Sequence, residues 1–494
     1  MRIPWILFVL SLSATGLCAA SPYFEWSPLA RQAYEKVIQL RFDEARSLLQ
    51  RLEATEPDND IRLLVENYLD FFTVFIDEDA AVFERLESNK DRRLDRLRKS
   101  DPASPWHLYL QADIRLQWAL ARLKFEEYAT AFFEVNKAFK LLRRNAERFP
   151  DFMPTYKDLG ILHAMVGTIP DNYQWTVRWL SSLEGTIDQG QAELERVIRY
   201  AETHEFIFEE ETYVLYAYLL LHLGRDDRQA WEMVRKSRLH PGTNPLACFI
   251  LANVALRTGR NDEAIRLLEQ RPSGRSFHPF PYLDFMLGLA KLQRLDADAD
   301  LPFQRFLDDF KGRNFIKEAY QKLGWHYLLQ GDEPRYRECM RLCRERGYTV
   351  VENDQSALRE AEGNRLPHPQ LLQARLLFDG GYYQRADQIL RQLPAISLRD
   401  RYDQLEHTYR SGRILQQLNR PLEALQFYEK TIAEGEDDPW YFACRAALES
   451  GHIYEAMGDR SKARDLFEKC LSIKPKEHRT GLHQAAKAGL GRVK

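Results

Sequence analysis

Apolar residues recur every three to four positions along most of this chain, which is the spacing that places them on one face of an α-helix. The stretch 106–149 is rich in aromatic residues and predicts two paired amphipathic helices with an aromatic seam. Alternation with a period of two is almost absent. Only 347–352 contains a β-branched run, and a loop explains it equally well. The pattern therefore predicts an all-α chain.

A set of small and aromatic residues recurs within this helical pattern near the end of the sequence. Gly451 and Ala463 are small, which suits a close crossing of two helices. Tyr454 and Phe467 carry rings, which suit the wedge between neighbouring hairpins, and Pro475 ends the second helix. This spacing resembles the 34-residue tetratricopeptide repeat. The resemblance implies an all-α, right-handed superhelical solenoid of helix-turn-helix repeats.

The same frame recurs upstream in the sequence. Corresponding alanines stand at Ala45, Ala264, Ala386, Ala424 and Ala463, the last three of which are 38 and 39 residues apart. Degenerate copies have their small first-helix residue at Gly160, Ala217, Gly288 and Gly324. Because the key positions blur between the first repeat and residue 244, we predict degenerate repeats over 21–244 and regular repeats over 245–494.

One stretch interrupts the repeats. Pro170 opens an insertion near 168–184, within the repeat that contains Gly160. The arrangement resembles part of the inclusion-body-clearance family of tetratricopeptide proteins, which is associated with the mitochondrial outer membrane. Trp175 and Trp179 lie four residues apart, and therefore on one helical face. They either pack on the solenoid or form an aromatic ledge for peripheral membrane contact, and the sequence leaves both interpretations open.

The first twenty residues differ from the rest of the chain. Arg2 precedes the apolar run 3–12, and the small triplet 18–20 follows, which is the layout of a secretory signal peptide. We expect cleavage after Ala20 and a secreted or periplasmic mature protein. A retained anchor helix is the alternative, but the run is shorter than the roughly 20 residues that span a bilayer. No later run is long enough, so we expect no transmembrane segment in the mature chain.

Charge and cysteine content narrow the function classes. The 494 residues include 70 Lys and Arg against 73 Asp and Glu, a net charge of −3, so we do not expect nucleic acid as a partner. Cys339 and Cys343 lie four residues apart and could be half of a metal site, but no second pair accompanies them. In the repeat frame, Cys343 and Cys470 take small packing positions late in a second helix. We therefore expect no metal site.

Recognisable catalytic motifs are absent from the sequence. It contains no His-Glu-x-x-His, no Gly-x-Ser-x-Gly and no phosphate-binding loop. The run 296–300 resembles the start of a calcium loop without its Gly and Glu. The acids at 209–211 could serve a glycoside hydrolase, although a helix start favours acids anyway. We expect a non-enzymatic protein without a cofactor; an α-helical glycan-binding or glycan-cleaving module of the cell envelope is the alternative.

The first helices of tetratricopeptide repeats line a concave groove, so the resemblance implies a binding surface there. By register, the groove is expected to contain Phe249, Asn253, Tyr282, Phe285, Trp325, Arg375, Tyr409 and Arg413. Such an aromatic and cationic wall suits an extended peptide or protein segment, with Arg375 and Arg413 contacting its carboxylates. We therefore predict a protein-binding scaffold in which replacing exposed groove residues leaves stability nearly unchanged.

Overall fold

The computed structural model describes residues 22–167, 183–224, 227–363 and 365–493. Within these ranges 24 α-helices follow one another. The only β-type pairing there is an isolated bridge between Tyr23 and Asn59. The β-branched run at 347–351 is an irregular loop. The all-α prediction is confirmed.

Consecutive helices pair as antiparallel hairpins. Seven hairpins form the first part of the chain: α1 (Pro28–Ile38) with α2 (Phe42–Thr55), α3 (Ile61–Asp77) with α4 (Ala80–Leu97), α5 (Pro105–Lys124) with α6 (Tyr128–Arg148), α7 (Met153–Gly167) with α8 (Ile187–Ala201), α9 (Glu209–Leu219) with α10 (Asp227–Lys236), α11 (Pro245–Arg257) with α12 (Asn261–Glu269), and α13 (Tyr282–Arg294) with α14 (Asp300–Asp309). Proline in the first turn and a side-chain cap start several first helices; Ser104 and Asn244 cap α5 and α11 in this way.

The second part contains four more hairpins and two single helices. They are α15 (Ile316–Leu329) with α16 (Glu333–Glu345), the single helix α17 (Glu352–Glu362), α18 (Pro369–Asp379) with α19 (Tyr383–Arg391), α20 (Arg401–Gln417) with α21 (Pro421–Gly435), α22 (Phe442–Ala456) with α23 (Arg460–Ser472), and the single helix α24 (Arg479–Arg492). None of the helices in the described ranges is both long and apolar enough to cross a bilayer.

The small residues of the repeat frame lie where helices cross. A Cβ atom on Gly451 would lie 2.6 Å from the ring of Phe467, and one on Gly412 would lie 2.7 Å from the ring of Tyr428. In the repeat that carries the predicted insertion, a Cβ atom on Gly160 would lie 3.0 Å from the carbonyl oxygen of Gly190. These crossings agree with the repeat frame, in which a larger residue would separate the two helices.

Two predicted segments fall largely outside the described residues. Residues 1–20, with their predicted cleavage site after Ala20, are among these, so export stays a prediction. The insertion near 168–184, with Trp175 and Trp179, also lies outside them except for its last two positions. The resemblance to the inclusion-body-clearance family and the membrane contact drawn from it stay predictions as well.

Residues near position 278 contact the first two hairpins of the chain. The His278 backbone N–H donates to the Leu40 carbonyl at 2.7 Å, and its imidazole Nε2 lies 2.7 Å from Asp77 Oδ1. The same imidazole stacks on Phe42 with ring centroids 4.5 Å apart. Residues about 200 positions apart in the sequence are therefore in direct contact.

A second set of contacts completes this closure. The Glu78 carboxylate accepts hydrogen bonds from Lys124 Nζ at 2.7 Å, from the backbone N–H groups of Arg313 and Asn314 at 3.2 and 2.9 Å, and from Asn314 Nδ2 at 2.7 Å. We call these four residues the clasp. Glu78 is buried, so its charge depends on these donors. The clasp joins the end of α3 to the loop before α15, and helices α1–α14 thus form a closed ring.

The predicted boundary at residue 244 lies inside this ring. Leu246 and Phe280, beyond the boundary, pack against the apolar core of the first hairpins. The division into degenerate and regular repeats stays a prediction about sequence regularity. In the structure, the ring spans that division and α18–α24 continue beyond it.

Candidate functional site

The first helices of four successive hairpins converge on a buried group of polar side chains. Lys157 Nζ on α7 lies 2.5 Å from Asp158 Oδ1 and 2.9 Å from Glu211 Oε1 on α9. The Tyr68 hydroxyl on α3 lies 3.1 Å from Glu211 Oε2 and 3.3 Å from Asp113 Oδ2 on α5. We call these five residues the polar cluster. The polar cluster joins these four first helices to one another on the inner side of the ring.

The polar cluster has three carboxyl groups and only one lysine. Burial reduces the resulting excess of negative charge, because it raises the pKa of two of the carboxyl groups. Burial, followed by the charge of Asp158, raises the pKa of Asp113 well above its usual range, which favours the protonated form. Burial also raises the pKa of Asp158 to about 6, against the opposing effect of Lys157. Asp158 Oδ2 and the Tyr109 hydroxyl have no hydrogen-bond partner among the described residues. The cluster is therefore a tightly packed ionic core with residual acceptor capacity.

Apolar side chains follow the polar cluster along each of the four helices. A residue seven positions after a cluster member lies two turns further on the same helical face. The four residues at that spacing are Phe75, Leu120, Met165 and Tyr218. Leu120 and Met165 are exposed, and the other two are half-buried. We call the face formed by these four residues the inner surface.

The inner surface continues onto the helices that close the ring. Lys124 Nζ lies 4.5 Å from the ring centroid of Phe75 and 5.9 Å from that of Phe315. Phe315 in turn packs on Tyr282, with centroids 4.6 Å apart. Burial, with smaller effects from Glu318 and Tyr218, raises the pKa of Tyr282. The lining thus runs from Phe75 on α3 through Lys124 and Phe315 to Tyr282 on α13.

Three of the predicted groove residues belong to this lining. Phe249 and Tyr282 are half-buried, with ring centroids 6.1 Å apart. Asn253 lies one turn after Phe249 on α11 and is also half-buried; the Arg257 side chain donates to its Oδ1 at 3.3 Å. Their role in binding stays a prediction, and their position on the inner side agrees with it.

Three other predicted groove residues are in the core, and their assignment to an exposed wall is wrong. Phe285 is buried between the rings of Phe303 and Phe306. Tyr409 is only 4% exposed because the next first helix, α22, packs on it through Phe442. The repeat register places such residues on the first-helix face but does not show how closely the next helix covers that face.

Trp325 is the clearest of these corrections. It is 1% exposed, and its indole Nε1 donates to Glu360 Oε1 at 2.6 Å. Glu360 belongs to α17, a single helix that the repeat register does not include. This additional helix covers the position that would otherwise face the groove.

The two predicted groove arginines make contacts within the chain. Arg375 lies over the Trp325 ring, with its guanidinium carbon 4.7 Å from the centroid, and 39% of its side chain is exposed. Arg413 Nη1 lies 3.1 Å from the Tyr409 hydroxyl and 3.8 Å from Glu449 Oε1. Arg375 also has an acidic neighbour, since its Nε lies 3.9 Å from Asp379 Oδ2, but its side chain is more exposed than that of Arg413, of which 19% is exposed. The use of Arg375 by a partner stays a prediction.

The other candidate chemistries have structural explanations. Cys339 and Cys343 are buried in an apolar core, where burial raises the pKa of each thiol to about 12. No cluster of three or more His, Cys, Asp or Glu side chains in the described ranges could hold a metal ion. Asp296 and Asp298 pair with Arg294 and Lys291 in an inter-helix turn. These residues therefore have packing or surface ion-pair partners.

The acids at the start of α9 are divided between two environments. Glu211 belongs to the polar cluster, whereas Glu209 lies 3.8 Å from Arg238 at the surface. Both lie in the first turn of a helix, where the macrodipole stabilises negative charge. The glycan-module alternative, which depended on these acids, gains no support from this arrangement.

Comparisons with known proteins agree with this architecture. Successive helical hairpins that pack on their neighbours are the architecture of helical-repeat proteins. Family models described as "Tetratricopeptide repeat" match residues 247–273 and 445–477, which include the predicted positions Ala264 and Ala463. These two segments are tetratricopeptide repeats, and repeats of this kind indicate the fold of a protein-interaction scaffold.

The chain was also compared with solved structures and with curated protein sequences. The crystal structure of the P58(IPK) TPR domain is similar over 92% of this chain and 97% of that chain, with 13% sequence identity and a TM-score of 0.23. No curated protein sequence matches the chain.

Sequence reasoning missed the inner surface between residues 60 and 244. The repeat frame depends on small residues at helix crossings, and those positions are blurred there. A usable signal was present, because each of four helices has a polar residue followed by an apolar one seven positions later. Recognising it requires knowing that Tyr68, Asp113, Asp158 and Glu211 meet, which only the structure shows.

Proposed function

We propose that this protein is a non-enzymatic scaffold that binds an extended apolar segment of a partner protein on the inner surface of its ring. The observation that carries this proposal is the pair of exposed apolar side chains, Leu120 and Met165, on first helices whose other apolar residues are mostly buried. Contiguous exposed apolar surface on a folded protein usually marks a binding site. The half-buried rings of Phe75 and Tyr218 extend the same surface.

The polar cluster supports the same assignment by making the surface rigid. Its polar groups join α3, α5, α7 and α9, so the apolar residues that follow it are held on a pre-organised scaffold. A partner segment then binds without a large ordering cost in the scaffold. Aromatic residues supply contact area with few rotatable bonds, which suits them to binding.

The test uses charged substitutions on the inner surface and a matched control outside it. Proteins retained by the immobilised parent are identified by mass spectrometry and compared with those retained by Leu120→Asp and Met165→Asp. Leu422→Asp is the control because Leu422, on the second helix α21, is equally apolar and exposed. We expect one specific protein to be lost from both inner variants and kept by the control. Overlapping peptides that cover the sequence of this partner should then identify one contiguous apolar segment that binds.

Loss of that protein from all three variants, or from none, would exclude the inner surface as its binding site. Circular dichroism of each variant separates loss of binding from loss of folding. A third inner variant, Tyr218→Phe, keeps the ring and removes only the hydroxyl. It should retain the partner if apolar contact is the basis of binding.

We also propose that the protein is exported from the cytoplasm by cleavage after Ala20. The support is the sequence layout of Arg2, the apolar run 3–12 and the small residues 18–20. Amino-terminal sequencing of the protein from its native compartment should give Ser21 as the first residue. A cytoplasmic fraction that contains intact Met1 would contradict the proposal.

A further inference from the structure

Helix α6 exposes two aromatic rings, Tyr128 at its start and Phe133 on the face that we call its outer face. Phe133 is 59% exposed and Tyr128 is 55% exposed, although helix α6 buries Ala138, Phe139 and Leu142 against its neighbours. Single exposed apolar residues are common on protein surfaces. Two exposed rings near one end of a single helix are less common, and positively charged residues follow them along the helix.

Three cations continue the line of Phe133 along α6. Lys137, Lys140 and Arg144 follow it at steps of four, three and four residues, so all four side chains lie on one face. All three cations are exposed, and no carboxylate of the described residues lies within 4 Å of them. Their charges are therefore available to a partner.

Several exposed arginines on other helices of this protein are paired with acids. On α16, Arg337 Nε lies 2.9 Å from Glu333 and Arg341 Nε lies 2.8 Å from Glu338. Such pairing at three or four residues is the usual arrangement on a helix surface. On α6, Glu134 does not serve this purpose because it is buried against Lys90 and Arg115. The other acid of this helix, Glu147, is exposed and forms no ion pair with the three cations.

The charge of this face is opposite to that of the whole chain. Helix α6 contains five Lys and Arg residues and two Glu residues, whereas the complete sequence has a net charge of −3. Positive charge is therefore concentrated on this helix. A concentrated positive face attracts an anionic surface over a distance set by ionic strength, about 8 Å at physiological salt.

We propose that the outer face of α6 docks on the anionic headgroups of a lipid bilayer, with Phe133 inserted at the interface. Aromatic residues and lysines occur together on protein surfaces that bind the bilayer interface, although the apolar face of α6 itself is buried in the protein. Acidic proteins and nucleic acids also attract lysines, but they do not by themselves explain a ring that is more than half exposed. Each cation near an anionic bilayer strengthens binding about five-fold, so three strengthen it by about 100-fold.

The test is co-sedimentation of the mature full-length protein with vesicles. One set contains phosphatidylcholine alone, and the other contains equal amounts of phosphatidylcholine and phosphatidylglycerol. We expect binding to the anionic vesicles only, decreasing as salt is raised. The variant with Lys137→Gln, Lys140→Gln and Arg144→Gln should bind about 100-fold more weakly.

A matched control removes the same charge elsewhere. Arg335→Gln, Arg337→Gln and Arg341→Gln together neutralise three exposed arginines of α16 and should bind anionic vesicles like the parent. Phe133→Ser should weaken binding with the cations intact and should leave the circular dichroism spectrum unchanged. This surface is separate from the inner surface, so the outcome is independent of the proposed scaffold function.

Three results would overturn the proposal. They are no binding of the parent to anionic vesicles, equal loss in the α6 and α16 variants, and unchanged binding of Phe133→Ser. Full competition by soluble polyglutamate or by double-stranded DNA, with no effect of Phe133→Ser, would assign the face to an acidic protein or a nucleic acid instead.

Discussion

At Gly451 the absence of a side chain determines the distance between two helices. A Cβ atom there would lie 2.6 Å from the ring of Phe467, which is itself fully buried and cannot move aside easily. We expect Gly451→Ala to destabilise the α22–α23 hairpin by about 1–3 kcal/mol through overpacking. The thermal unfolding midpoint of the purified variant measures this.

Gly481 provides the matched control on α24. It is helical, and no atom lies within 4 Å of the position where its Cβ atom would be. Gly481→Ala should stabilise the protein by about 0.5–1 kcal/mol, because alanine loses less backbone entropy in a helix. A lower stability of Gly451→Ala together with a higher stability of Gly481→Ala would show that two helices cross closely at Gly451. Shifts of the same sign would contradict it.

Trp325 provides a second test at the residue scale. Because it is buried under α17 and bonded to Glu360, Trp325→Ala should destabilise its core by about 3–5 kcal/mol. Leu422→Ala, at an exposed site, should shift stability by less than about 0.5 kcal/mol. Denaturant unfolding followed by circular dichroism measures both. An effect of Trp325→Ala as small as that of the control would restore Trp325 to the exposed groove.

These residues show how far the sequence determines individual positions. Glycine and alanine at helix crossings were predictable because the repeat imposes a fixed spacing on them, as at Gly412 and Ala463. The exposure of Trp325 and Tyr409 was not predictable in this way. Burial at those positions depends on α17 and α22, which follow later in the chain and whose distance from the first-helix face has no periodic signature.

At the scale of elements, the clasp is the contact that distinguishes this ring from an open array of hairpins. Glu78→Ala removes the acceptor for two backbone N–H groups, a partly buried one at Arg313 and a buried one at Asn314. Each buried donor left without a partner costs about 1–3 kcal/mol. We expect amide hydrogen exchange at residues 313 and 314 to become much faster, while exchange in α22 and α23 stays unchanged because those helices do not contact the clasp.

Glu126→Ala is the control for the clasp. Glu126 pairs with Arg313 at 2.9 Å, but almost half of its side chain is exposed, and exposed pairs contribute about 0–1 kcal/mol. Exchange at residues 313 and 314 should therefore change little in this variant. Equal effects of Glu78→Ala and Glu126→Ala would show that the buried carboxylate has no special role in closure.

The hairpins were predictable as elements, whereas their closure was not. The pairing of α5 with α6 was expected from the aromatic seam over 106–149, and it is confirmed. The clasp depends on single polar residues, such as Glu78 and Asn314, that lie 236 positions apart. No local pattern identifies such a pair, because each residue alone resembles an ordinary loop residue.

At the scale of the whole molecule, the ring and the remaining helices should separate in truncation experiments. A chain that stops after residue 363 keeps the clasp and α1–α17, so we expect it to remain folded and helical. A chain that stops after residue 310 lacks Arg313 and Asn314 and cannot close. It should unfold at a clearly lower denaturant concentration. Equal stability of the two fragments would show that closure does not stabilise the ring.

The overall architecture was largely predictable because repeat proteins encode their fold locally. Helix content, hairpin pairing and the tetratricopeptide repeats at 247–273 and 445–477 all followed from spacing within about 40 residues. The candidate site was only partly predictable. Phe249, Asn253 and Tyr282 are half-buried, and their place in a groove stays a prediction. The exposure of Leu120 and Met165 was not predicted, because it depends on how the helices of the polar cluster pack together.

The clasp also affects the order in which parts of the protein form during synthesis. Asn314 is made 236 residues after Glu78, so at the usual synthesis rate of about 5–20 residues per second the two groups are separated by roughly 12–47 s. Hairpins form from neighbouring residues far faster than that. During synthesis the first hairpins therefore exist as an open arc, with Leu120 and Met165 accessible and Glu78 without most of its donors. Contacts of such long sequence separation form late, so the closed ring is the last feature of this region to appear.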